Sequence, residues 1–344
     1  MTTLEQLLRT IIIDKAPNCW WGNGIFQLLA EPYIAGHSLE DGVTQAQKEY
    51  RDFGRYSTLD ILGEAARTTV QAEEHVKAYS SLITTIGLRR MSHYVSVSLK
   101  PSAICAVDED GHTHRESEET LVERLTQIVA LAETKGVRVT LDMEDQYWTT
   151  ATLKYAKELW KTGRKNFGIV LQSRLDRTQD DIQDLFVLEQ YEIPRTAQRI
   201  RACIGIYQVP EDLGTNDRQK AKEQLIERVK ELFAAGVYLE IATHDLDVVK
   251  RIREEIIKPQ NIPNTRYEFQ FLRGVQNAYD VEKALMDNGA IVRYYMPVEL
   301  TEGDSIPYMQ RRLRANPDIF WHGIRNFLQT YVPFGRTLAS YLKK

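Results

Sequence analysis

The chain has 344 residues, 43% of them hydrophobic, with a formal net charge of −4 and a pI near 6.0. That length and apolar content can bury one large core or two ordinary ones, and the slight acidic excess excludes a general nucleic-acid binder, which needs a basic stripe. No apolar run approaches the ~20 residues of a membrane span, and Met1–Pro17 lacks the charged-then-apolar pattern of a secretory signal and the Arg- and Ser-rich character of a transit peptide.

In chain order, helical patterns near 3–14 and 59–86 precede or cover the rest, so 1–30 and 45–90 are expected to be helical N-terminal elements. A weak first strand lies at Tyr33–Ala35. Short apolar runs follow at Tyr94–Lys100, Val137–Asp142, Gly168–Gln172, Ile200–Ile206, Val237–Thr243, Tyr267–Leu272 and Ala290–Tyr295. They are nearly continuous in apolar character, as strands buried on both faces should be. Between them the spacing predicts helices at Glu119–Lys135, Thr149–Thr162, Thr178–Gln190, Arg218–Ala235, Leu246–Ile257 and Gly274–Met286. Such alternation indicates a parallel sheet with right-handed crossovers. Eight strands predict an α/β fold of the (β/α)8 TIM-barrel type with N-terminal helices; an open doubly wound sheet is the alternative. No Pro-, Gly- or Ser-rich linker divides the chain, so 1–344 is read as one domain, with the barrel ending near 315 and a helical segment over 316–344. Cys19, Cys105 and Cys203 are odd in number and far apart, as free thiols of a reducing cytosol are.

Polar residues recur at the C-terminal strand ends, the face on which such barrels build active sites. They are Lys100, Asp142, Gln172, Arg201 with Tyr207, Thr243 with His244, Glu268 with Gln270, and Arg293 with Tyr295. The adjacent pair Arg311–Arg312, after Tyr308, falls on the first turns of a helix beyond the last strand. Two guanidiniums there suit bidentate capture of a carboxylate or phosphate. There is no Gly-rich phosphate loop, no Ser–His–Asp order, no Cys nucleophile with a nearby base, and too few nitrogen ligands for a metal site. His112 and His114, in the polar run DEDGHTHRESEE, are expected in a solvated loop.

The strand ends carry a resemblance. AGHSLEDGV (35–43), STLDILGEA (57–65), VSLKPSA (97–103), LDMED (141–145), GIVLQSRL (168–175), RACIGIYQ (201–208), IATHD (241–245), YEFQFLRGV (267–275) and RYYMPVELTEGDSIPYMQRRL (293–313) run in order over most of the chain. The sequence resembles the proline dehydrogenase family, flavin-dependent barrels that oxidise L-proline to Δ1-pyrroline-5-carboxylate. The resemblance implies bound FAD and a substrate clamp at Lys100, Tyr295, Arg311 and Arg312, supported by Asp142. It implies cofactor contacts at Met143, Gln172, Arg201, Cys203, Gly205, Thr243 and His244, and catalytic roles for Asp142 and Arg201. It also implies a quinone as electron acceptor, a separate pyrroline-5-carboxylate dehydrogenase as partner, and a cytoplasmic location, with peripheral attachment to the inner face of the membrane left open.

The chain departs from the family pattern at several places. Ala202 stands for a bulky Leu and is expected to remove a wall from the proline pocket. Ile204 stands for Lys, and Gln208 for a Trp that could stack on adenine. Asp245 replaces Asn, and Ala315 replaces a Glu that braces a guanidinium. Glu299 replaces a Gly, whose backbone freedom it lacks. Two further readings stay open: the same fold acting on another cyclic or N-alkyl amino acid, and a non-catalytic barrel that has lost its flavin.

Overall fold

The computed structural model describes Gln27 and residues 30–186, 197–301 and 303–315. Helix α1 (Leu39–Phe53) leads into β1 (Tyr56–Ile61), α2 (Thr69–Leu88) and β2 (Val95–Leu99). A 3-10 turn at Pro101–Ile104 follows, then α3 (Glu118–Lys135), β3 (Val139–Leu141), α4 (Gln146–Lys161), β4 (Phe167–Gln172) and α5 (Thr178–Phe186). The second half runs through β5 (Arg199–Cys203), α6 (Arg218–Ala235), β6 (Tyr238–Ala242) and α7 (Leu246–Arg251), which continues as a π-helical turn at Ile252–Ile257. It ends with β7 (Tyr267–Leu272), α8 (Gln276–Asp287), β8 (Ile291–Val298) and α9 (Ser305–Ala315). The eight strands are parallel, each bonded to the next, and β1 closes on β8 through pairs such as Thr58↔Tyr295. The (β/α)8 barrel is therefore the fold, and the open sheet is excluded.

Local chemistry sets the boundaries. Asp217 caps α6 through the Lys220 N–H, and Gly236, at φ 86°, ends it in the left-handed region. Ser117 and Gly136 do the same for α3. Asp145 and Asp245 receive the first N–H groups of α4 and α7, which turns the chain sharply from strand to helix beside the barrel mouth.

One expected element is wrong. Tyr33–Ala35 is not a strand: the segment is buried and is tied to the end of β8 by the Ala35 N–H on the Pro297 carbonyl at 2.6 Å and by an isolated bridge of the next residue, Gly36, to Val298. The first strand is Tyr56–Ile61, part of which was expected to be helical. Its sequence YSTLDI hides the strand because its lumen positions, Thr58 and Asp60, are polar and are satisfied by Ser96 and Lys100 from β2 and its end. The proposed segments at 3–14 and 316–344, and the end of the helix expected to reach Gln190, lie outside the described residues.

Register separates the two faces of every strand. Leu59, Val97, Leu141, Ile169 and Ala202 face outward into the apolar layer under the helices. The alternate positions face the lumen, and there the barrel holds charge where branched aliphatic layers are usual.

Candidate active site

The lumen is a stack of charge-assisted bonds. At the floor, Arg293 Nε donates to Glu268 Oε1 at 2.6 Å, and Arg199 pairs with Glu240 at 2.8 Å. Gln270 donates to both carboxylates, at 2.8 Å to Glu240 and 2.6 Å to Glu268. Burial would raise the Glu268 carboxyl, but Arg293 and Arg199 outweigh it and hold it far below the ordinary range. So Glu268, Gln270 and Arg293, expected at the site, form its foundation.

Above them Arg201 is 5% exposed. Its Nε donates to Gln270 Oε1 at 2.6 Å and its Nη1 to Asp142 Oδ1 at 2.6 Å and Ser98 Oγ at 3.2 Å. Asp142 also accepts from Ser98 Oγ at 2.7 Å and from the Tyr295 hydroxyl, on Oδ2, at 2.6 Å. Burial opposes the Arg201 charge, and Asp142 and Glu240 overcome it, so the guanidinium stays protonated. Burial, Asp142 and Asp60 push the Tyr295 phenol well up, so it stays a neutral donor. Tyr295 also lies within 5.4 Å of the Arg201 guanidinium, ring centroid to carbon.

The expected clamp residues surround this centre. Lys100 sits at the end of β2 and donates to Asp60, with the Ile61 carbonyl 3.5 Å away. Burial works against its ammonium, and Asp60 outweighs burial and keeps it charged. On α9 the two guanidiniums part company. Arg311 pairs with Glu64 at 2.7 Å, and the Arg312 guanidinium carbon lies 5.2 Å from the Tyr308 ring centroid. Their mutual repulsion is thus spread over an anion and an aromatic face. Arg312 acts electrostatically on both Cys203 and His244, and Arg311 and Lys100 both act on Tyr207. Residues from β2, β5, β6, β8 and α9 therefore converge on one mouth.

The remaining expected contacts line the rim. Gln172 spends its amide nitrogen on the Met143 and Glu144 carbonyls, at 3.2 and 2.8 Å. Gly205, at φ 97°, lies over it, and a Cβ there would come within 2.7 Å of Gln172 Oε1. The Cys203 carbonyl accepts from Ser173 N–H, and burial pushes its thiol up to about 11. Thr243 Oγ1 accepts from Asp245 N–H at 3.2 Å. His244 Nε2 accepts from Leu272 N–H at 2.9 Å, which leaves the ring proton on Nδ1. Burial, then Arg312, lowers its pKa to about 3, so the ring is neutral.

The departures resolve differently. Ala202 does not line the pocket. Arg201 faces the lumen, so its neighbour must face outward, and Ala202 is paired with Leu171 and Ile241 in the apolar layer. Ile204 is partly buried against that core, and Gln208 is exposed. Asp245 caps α7 and pairs with Lys222 at 2.5 Å. Glu299 is 1% exposed, has no positive φ, accepts from Ser305 N–H at 2.8 Å and meets His37 at 2.5 Å, so it anchors the start of α9. The side chain of Ala315 lies outside the described residues. His112 and His114 are not free in solvent. They stack on Tyr147 and Trp148 of α4, and His112 meets Asp145 at 2.9 Å.

Sequence reasoning assigned no role to Asp60, Glu64, Glu144 or Glu240. Each lies in a segment whose neighbours were noted, and the available signal was a carboxylate inside or just past an apolar strand.

Fold and site together define a class: a parallel α/β barrel with a buried, carboxylate-braced arginine in its lumen and further cations at its C-terminal mouth. The family model described as proline dehydrogenase matches residues 43–200 and 219–319, and the chain belongs to that family. It is 29% identical over 290 residues to the proline dehydrogenase of Deinococcus radiodurans, covering 84% of this chain and 86% of that one. It is 26% identical over 297 residues to proline dehydrogenase 2 of Bacillus subtilis, covering 86% and 88%. Among solved structures, proline utilization A (PutA) of Bdellovibrio bacteriovorus, inactivated by N-propargylglycine, superposes with a TM-score of 0.75 at 24% identity, a likeness of fold. That match covers 91% of this chain and 35% of the PutA chain, so this protein spans about a third of that one.

Proposed function

We propose that the chain, as one catalytic domain, oxidises L-proline to Δ1-pyrroline-5-carboxylate with noncovalent FAD at the C-terminal mouth of the barrel. The observation that carries this reading is Arg201, a buried guanidinium held by Asp142, Ser98 and Gln270 whose Nη2 has no partner. His244 Nδ1, a buried ring N–H, is likewise without one. An unmet buried donor is costly, and two on one mouth suit the acceptor-rich edge of a flavin. Gly205 keeps the backbone beside Gln172 free of a side chain. When bound, FAD supplies the two-electron acceptor for the hydride on the carbon next to the proline nitrogen.

The protein's own residues do the rest. Arg201 keeps a fixed positive charge where negative charge grows on the acceptor, and Asp142 keeps that charge from moving. Arg311, Arg312 and Lys100 receive the substrate carboxylate, and Tyr295, oriented by Asp142, bounds the ring. Because Ala202 faces outward, the main reason to expect a different amino acid is gone. In this reading a quinone reoxidises the cofactor, and a separate pyrroline-5-carboxylate dehydrogenase consumes the product.

Purified protein should be yellow, release its flavin into the supernatant on acid precipitation, and reduce an artificial dye with proline. Colourless protein that takes up no added FAD would defeat the reading.

A further inference from the structure

Glu240 is a buried carboxylate with no part in the mechanism above, yet it pairs with the residue on which that mechanism rests. Strand register places Arg201, Glu240 and Glu268 side by side on β5, β6 and β7. Two carboxylates abreast on neighbouring strands repel each other, and donors hold them together here. Glu240 Oε1 accepts from Arg199 Nε at 3.0 Å and from Arg199 Nη2 at 2.8 Å. Its Oε2 accepts from Gln270 Nε2 at 2.8 Å and lies 3.5 Å from Arg201 Nε. The same arrangement fixes Gln270. Its amide nitrogen is spent on Glu240 and Glu268, so its oxygen must face Arg201. Arg201 therefore has two counter-charges. Asp142, just past β3, meets Nη1, Glu240 meets Nε from the floor side, and Nη2 is left without a partner. Arg199, whose guanidinium carbon lies 3.9 Å from the Tyr238 ring centroid, draws on the same Glu240 charge from the other side.

We propose that Glu240 is a positioning residue for the redox step: by offsetting Arg201 from the floor, it lowers the potential of a flavin bound against Arg201, and Arg199 opposes it. This rests on the reading of Arg201 as the flavin contact. A cation beside the flavin stabilises the negative charge that reduction adds there, and so raises the potential. A carboxylate paired with that cation reduces the effect, and among buried groups the reduction is weakly screened. Asp142 cannot serve this purpose alone, because it also holds Ser98 and the Tyr295 hydroxyl on the substrate side. Glu240 is bonded to Arg199 and Gln270 and paired with Arg201, so it adjusts the cofactor without touching the clamp. A restrained potential keeps the reduced flavin able to pass its electrons on.

The test is the midpoint potential of FAD bound to the intact protein, measured by equilibration with a reference dye, which reads the cofactor without turnover. Glu240→Gln keeps the size and leaves each neighbour a partner. Arg199 has Glu268 at 3.5 Å, Arg201 has Asp142 at 2.6 Å, and Gln270 has Glu268 at 2.6 Å. This variant should shift the equilibrium toward reduced flavin on the order of tenfold, a rise of about 30 mV for two electrons. Arg199→Met removes the cation on the other side of Glu240 and should lower the potential. Glu240→Asp keeps the charge and should stay near wild type, which a merely structural role would not allow. Unmoved potentials, shifts of the same sign in Glu240→Gln and Arg199→Met, or a shift in Glu240→Asp as large as in Glu240→Gln would each overturn the proposal. If Glu240→Gln does not fold, Arg199→Met decides, and a potential that fails to fall overturns it. Wild-type protein that takes up no FAD would instead remove the reading of the mouth as a flavin site, and this inference with it.

Discussion

Arg311 and Arg312 are neighbours in sequence with different electrostatic histories. Glu64 already offsets Arg311, whereas Arg312 faces the Tyr308 ring and no ion pair is formed by it among the described residues. Arg312 is therefore the freer cation for a carboxylate. Removing a charge-assisted partner of a desolvated ion costs about 2–5 kcal/mol. Arg312→Met should show that loss mainly as a rise in KM for proline with a smaller fall in kcat, and Arg311→Met should show less. Equal or reversed effects in steady-state kinetics would mean that Glu64 does not discount Arg311 in the bound state. The arginine pair was legible because its spacing is visible in one line of sequence. Asp60, Glu64 and Glu144 were not, because their meaning lies in partners such as Lys100, Arg311 and Ser102, which only folding brings near.

Among elements, those with local punctuation were readable and those defined by distant partners were not. Arg218–Ala235 is found at its expected bounds because Asp217 and Gly236 mark both ends. Tyr56–Ile61 escaped notice because a polar lumen position looks like a surface position until the opposite wall is known. The same period of two decides the fate of Ala202. With Arg201 bonded to Asp142 inside the barrel, a larger side chain at 202 grows into the layer holding Leu171 and Ile241. Overpacking there costs about 1–3 kcal/mol. Ala202→Leu should lower the denaturation midpoint while leaving the relative rates with proline and its analogues unchanged. A tightened preference for proline would show that strand β5 is turned the other way.

At the scale of the molecule, the barrel encloses charge instead of aliphatic layers, and its stability is tied to keeping that charge matched. No helix among the described residues is long and apolar enough to cross a membrane. The polarity is concentrated in the lumen, where Glu268, fully buried, serves Arg293 at 2.6 Å, Arg199 at 3.5 Å and the Tyr238 hydroxyl at 3.1 Å. Removing one partner of a buried ion pair costs about 3–5 kcal/mol, because the other charge is left without compensation. Glu268→Gln keeps the shape but strands the Arg293 guanidinium, while Arg199 keeps Glu240, so a loss of about that size is expected in urea unfolding near neutral pH. The pH dependence has a definite sign. The folded-state pKa of Glu268 is depressed, chiefly by Arg293 and Arg199 acting against burial, so its contribution is present above the ordinary carboxylate range. It is lost as pH falls through and below that range, when the wild-type carboxylate begins to take up a proton in the unfolded chain. The gap between wild type and Glu268→Gln should therefore be widest near neutrality and narrow steadily in acid. A gap that stays constant down to the acid transition would show that the cost of the substitution is one of packing, and that the charge of Glu268 is not what braces the floor of the barrel.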